Sequence, residues 1–127
     1  MIYLIVMLGG ALGTLARFLV SDFIATHIGE TFPWGTLIIN VIGSFAIGFF
    51  GTLTGPDGTF LVRPEMRTFF MIGICGGYTT FSSFSWQTLN LVQDGQWLRA
   101  GANILASNAG CLLAVWLGYI CAVSVRR

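Results

Sequence analysis

The chain has 127 residues, of which 55% are hydrophobic and only 9% charged, with a mean hydropathy of +0.82. A soluble domain carries about a quarter charged residues, so this composition excludes an ordinary soluble enzyme and points to the bilayer as solvent. All six cations are arginine and the formal net charge is +1, which leaves no electrostatic pull toward nucleic acid or an acidic substrate.

Crossing the hydrocarbon takes about 20 apolar residues, and four stretches meet that length. The pattern predicts an all-α membrane protein, one transmembrane domain over 1–127 with spans at approximately 1–27, 34–54, 66–92 and 97–125. The first span lacks a basic start, so no cleavable signal peptide is expected. It carries Gly9 and Gly13 as a GxxxG pair, a spacing that lets helices approach closely in lipid, within one subunit or between two. Arg17 is the one cation well inside it. An intramembrane arginine is costly and marks a candidate functional position; the plainer alternatives are snorkelling to the interface or pairing with Asp22.

In the second span Thr36, Asn40, Ser44 and Gly48 recur at four-residue intervals and share a helical face. Asn40 stands out, because an unpaired amide in hydrocarbon costs several kcal/mol. Either it ties two helices together or it lines a wet groove. The Gly55-Pro56-Asp57-Gly58 tetrad then signals a turn.

The third span is the most polar. Gly73, Gly76 and Gly77 weaken its helix, and Thr79, Thr80, Ser82, Ser83 and Ser85 follow, with Phe81 and Phe84 among them. Such a run reads as a broken helix buried in protein or lining a cavity, where freed carbonyls and amides can hold ions; a glycine-rich packing face is the alternative. An aromatic ring has a positive edge that suits a small anion, although two phenylalanines also serve as ordinary packing residues.

On the fourth span Asn103, Ser107 and Cys111 fall one turn apart, with Asn108 about a quarter turn away, while Ala102, Ala106, Gly110, Ala114 and Gly118 form a small-residue row. Cys75, Cys111 and Cys121 show no metal-ligand spacing. No catalytic pair or nucleophile–base arrangement is present, so no enzyme is expected. Asp22, Glu30, Asp57, Glu65 and Asp94 all lie at span ends or in loops, which disfavours a proton-coupled exporter.

Four spans put both termini on one side with Arg63, Arg67, Arg126 and Arg127, leaving Arg17 and Arg99 opposite. The bias predicts cytoplasmic termini but is small enough for insertion in both orientations. So small a chain with so many small-residue faces is expected to work as a homodimer.

Taken in order, Gly-Gly-Ala-Leu-Gly-Thr-Leu-Ala-Arg at 9–17, Trp-Gly-Thr-Leu-Ile-Ile-Asn at 34–40 and Gly-Gly-Tyr-Thr-Thr-Phe-Ser-Ser-Phe-Ser at 76–85 resemble the small dual-topology fluoride channels of the Fluc (CrcB) family along the whole chain. The resemblance implies an antiparallel homodimer in the cell membrane that lets cytoplasmic fluoride leave passively. It assigns the fluoride pathway to Asn40, Phe81, Phe84 and Ser107 and a vestibule to Arg17; the hydroxyl run of the third span adds Thr80 and Ser83 to that pathway. It also implies a structural sodium ion between the subunits, on main-chain oxygens of Gly76 and Thr79. Cys111 and Val115 stand where relatives can carry serine and threonine. The competing readings are a proton-coupled cation or drug exporter of the same size and a non-transporting assembly subunit.

Overall fold

The computed structural model describes residues 1–126; Arg127, counted above with the arginines on the terminal side, lies outside the described residues. In lipid every backbone polar group must find its partner internally, and among the described residues all regular structure is helical. Helix α1 (Ile2–Ile28) ends at Gly29, whose φ of 94° reverses the chain. Helix α2 (Trp34–Leu53) starts directly after Pro33. The third rod is composite: α3 (Pro64–Thr68), a π-helical turn over Phe69–Ile74, α4 (Cys75–Tyr78), two extended residues, and α5 (Phe81–Gln93). A second glycine turn at Gly95, φ 75°, leads into α6 (Trp97–Val125). Helices α1, α2 and α6 are each long and apolar enough to cross a membrane. Leu12, Leu15 and Phe18 on α1 and Leu105, Leu113 and Trp116 on α6 are exposed, as lipid contact requires of a membrane protein.

Glycine sets how the rods meet. A Cβ on Gly9 would lie 2.9 Å from the Gly73 Cα, and one on Gly73 would lie 2.9 Å from the Gly9 Cα. Gly13 faces the backbone of Ile74 and Tyr78 in the same way, and Gly77 faces Gly10. The GxxxG pair is therefore spent inside the subunit, joining α1 to the third rod. The small-residue row of α6 behaves differently. Ala114 and Gly118 are buried, with Gly118 packed on the backbone of α2 at Phe45 and Phe49, whereas Ala102 and Ala106 are exposed. A four-residue interval drifts by about 40° per step on a helix of 3.6 residues per turn, so the row winds off the contact instead of forming one face.

Arg67 closes the far end of α2. Its Nη2 donates to the Gly51 carbonyl at 3.2 Å and its Nε to the Thr54 hydroxyl at 3.3 Å, placing a cation on one carbonyl of the last turn, where a helix end leaves acceptors unpaired.

Candidate functional site

The break in the third rod falls after the glycines, not at them. Helix α4 runs through Gly76 and Gly77, and the chain becomes extended only at Thr79 (φ −83°, ψ 157°) and Thr80 (φ −151°, ψ 113°). Asn40 of α2 is the cause. Its Oδ1 accepts from the Thr80 amide at 2.8 Å, and its Nδ2 donates to the Thr80 carbonyl at 3.1 Å. One carboxamide thus replaces the helical acceptor of the Thr80 amide and adds a donor to the Thr80 carbonyl, which as N-cap already takes the first bond of α5. Thr80 then caps α5: its Oγ1 accepts from the Ser83 amide at 3.2 Å and bonds the Ser83 hydroxyl at 3.1 Å. Asn40 thus ties α2 to the third rod and also lines a cavity at the break.

That cavity, about 390 Å³, collects Asn40 and Ser44 from α2, Gly76, Thr79 and Thr80 from the break, Phe81 and Phe84 from α5, and Ser107, Asn108 and Cys111 from α6. The Phe81 and Phe84 rings lie 5.4 Å apart at 45°. They are unequal: Phe81 is 73% exposed and Phe84 only 8%. Cys111 takes its place one turn beyond Ser107, but Val115 leaves the row to pack on Gly48 of α2.

A second cavity of about 290 Å³ lies on the α1 side, lined by Arg17, Thr36, Thr80, Ser83 and Gln87 among others. Thr80 is common to both linings, so the two chambers adjoin across the break. Ser21, Thr36 and Gln87 in turn also line a larger outer cavity of about 520 Å³ at the end of the bundle, with Glu30, Asp94 and Arg99. The predicted residues accordingly fall into two groups, Asn40, Phe81, Phe84, Ser107, Gly76 and Thr79 around one chamber and Arg17 with Ser83 around the other, joined by Thr80. No carboxylate lines either inner chamber among the described residues.

Thr88 and Gln87 escaped the sequence reading. Thr88 bonds the Phe84 carbonyl at 2.7 Å and accepts from Asn103 at 2.9 Å. A threonine one turn after Phe84, facing an asparagine on the next helix, was the available signal.

Comparison with known proteins bears on the same segments. A model of the family described as CrcB-like protein, Camphor Resistance (CrcB), matches residues 4–119. A protein of Opitutus terrae is 60% identical over 125 residues, covering 98% of this chain and 95% of its own length. One from Methylocella silvestris is 58% identical with the same coverage, and one from Rhodospirillum rubrum is 57% identical over 127 residues, covering 100% of this chain and 98% of its own. Each of the three is named a fluoride-specific ion channel FluC. With a match that takes in α1, α2, the broken third rod and most of α6, this chain belongs to the CrcB family.

Proposed function

We propose that the protein is a passive fluoride channel of the cell membrane, through which cytoplasmic fluoride leaves down its gradient. The observation that carries the reading is the Asn40-held break, which gathers amide, hydroxyl and aromatic groups around a chamber lined by no carboxylate among the described residues. The names of relatives up to 60% identical over nearly the whole chain support fluoride as the ion. Among the described residues neither inner chamber is lined by an Asp, Glu or His that could couple export to protons.

The chemistry follows from what each group has left to give. Fluoride holds its water tightly and must receive donors in exchange, yet bind weakly enough to leave. Arg17 makes the α1-side chamber attractive to anions, and the Ser83 hydroxyl belongs to the same lining. Asn40 spends one N–H of its amide on Thr80 and keeps the second for the ion. The ring edges of Phe81 and Phe84 add partial positive charge and exclude water.

Gly76, Phe81, Asn108 and Leu112 line the Phe chamber and are exposed in the single subunit. Polar groups at membrane depth do not face lipid, which supports a second copy, inserted antiparallel, covering this side. The break also suits a sodium ion between the copies. With the Thr80 amide turned to Asn40, the Gly76 carbonyl has lost its usual helical donor, and Thr79 is extended. These two oxygens from each copy would give four ligands on a two-fold axis. A sodium ion held there supplies positive charge that the two subunits share. Exchanging sodium for a large organic cation on both membrane faces is expected to lower fluoride flux, and equal flux in both media would count against the site.

Purified protein in liposomes tests the function directly, with a fluoride electrode reading efflux. Wild-type vesicles are expected to release fluoride at a rate indifferent to a proton gradient. Phe81→Ile, at an exposed position where folding depends little on the ring, should cut flux by roughly tenfold, the equivalent of ~1.4 kcal/mol, with assembly intact. Retained fluoride in wild-type vesicles, or proton-coupled release, would refute the channel.

A further inference from the structure

We infer that Asn103 is a positioning residue that holds the Ser107 hydroxyl proton away from the Phe chamber, and so weakens fluoride binding there. The inference rests on the fluoride-channel reading and adds to it a residue that lines neither inner chamber.

Four groups on α5 and α6 form a chain whose proton directions are fixed from one end. The Thr88 hydroxyl donates to the Phe84 carbonyl at 2.7 Å, which uses its only proton. Toward Asn103, then, Thr88 can only accept. The Asn103 carboxamide must present Nδ2 to it, at 2.9 Å, which turns Oδ1 the other way. Oδ1 meets the Ser107 hydroxyl at 3.2 Å, so Ser107 is the donor. Asn103 is 1% exposed and lines neither chamber, so water does not compete for the amide that takes the Ser107 proton. Ser107 lines the chamber, but what it offers there at rest is lone pairs.

Fluoride needs a proton, not a lone pair. To use Ser107 the ion must draw the hydroxyl away from Asn103 and leave a buried Oδ1 without a donor. That loss weakens the bound state by about threefold to tenfold, the range of one net hydrogen bond. The effect favours release, which a conducting site requires.

Two isosteric substitutions should free the proton by different routes. Asn103→Leu removes the acceptor while the Thr88 bond to Phe84 survives. Thr88→Val removes the group that fixes the amide, which can then turn Nδ2 toward Ser107. Both are expected to lower the half-saturating fluoride concentration in liposome flux by about threefold to tenfold, with a lower maximal rate as release slows. Thr88→Ser keeps the chain and should behave as wild type. Adding Ser107→Ala to either variant should erase the shift, which a merely structural role would not predict. Wild-type half-saturation in both variants, or tighter binding that persists without the Ser107 hydroxyl, would overturn the inference. If either variant fails to fold, the other decides. Calorimetric fluoride binding to the detergent-solubilised protein ranks the variants independently of conduction. Wild-type vesicles that retained fluoride would remove the channel reading, while the calorimetric order would still judge Asn103.

Discussion

Asn40→Asp is expected to reduce fluoride efflux by about a thousandfold while the protein still folds. The substitution alters two or three atoms, and its consequences follow from where they point. Oδ1 keeps its bond from the Thr80 amide, so half of the clamp survives. On the other side an oxygen replaces the Nδ2 that donates to the Thr80 carbonyl, setting acceptor against acceptor. More important, the N–H left over for the ion is gone and a negative charge stands in its place. One unit charge about 4 Å from the path costs ~4 kcal/mol at an effective dielectric near 20, or roughly three decades in rate. Acidification protonates the new carboxyl and removes that charge, so part of the flux should return as pH falls, with the wild type as reference. Asn40→Leu separates the two effects: it adds no charge but leaves the buried Thr80 amide unpaired, at about 1–3 kcal/mol. That variant should lose thermal stability as well as flux. An Asn40→Asp channel conducting within tenfold of wild type would remove Asn40 from the pathway.

The same residue shows where sequence reading reached and where it stopped. Hydropathy made the all-helical fold legible, because in lipid an apolar run of sufficient length has no alternative to helix. The polar rows on α2 and α6 and the run after Gly77 marked the chambers for the same reason, since polar groups at that depth need a purpose. The position of the break was not legible. Three glycines pointed at 73–77, yet the helix holds there and gives way at Thr79 and Thr80, because the deciding hydrogen bonds come from a side chain 40 residues earlier. Local propensity cannot contain that information. Nor does spacing say which neighbour a small residue meets. Gly9 and Gly13 could have been a surface for a second subunit; the structure spends them on the third rod. Thr88 was missed because its partners, the Phe84 carbonyl and Asn103, become a chain only once α5 and α6 are packed.

The α1–third rod contact makes the second large prediction. Gly10→Ala and Gly13→Ala change the same residue type three positions apart on one helix, and they should have opposite outcomes. At Gly10 an added Cβ meets no atom within 4 Å, so alanine is tolerated and, by its better helix propensity, stabilises by about 0.5–1 kcal/mol. At Gly13 the same atom would overlap the Ile74 carbonyl and lie 2.9 Å from the Tyr78 amide nitrogen. Both are backbone atoms, with no rotamer to move out of the way. Helix α1 must therefore retreat from the third rod, losing about 1–3 kcal/mol in packing. The displacement does not stay local. Arg17 sits one turn beyond Gly13 and lines the α1-side chamber, while Tyr78 immediately precedes the extended residues of the break. Separating the two rods pulls that chamber apart from both sides. Thermal unfolding in detergent should fall by several degrees for Gly13→Ala and hold or rise for Gly10→Ala, and liposome efflux should drop at least about tenfold only in the former. Equal behaviour of the two variants would mean that α1 and the third rod do not touch through Gly13, and with that contact would go the placement of Arg17 and Ser83 around one chamber.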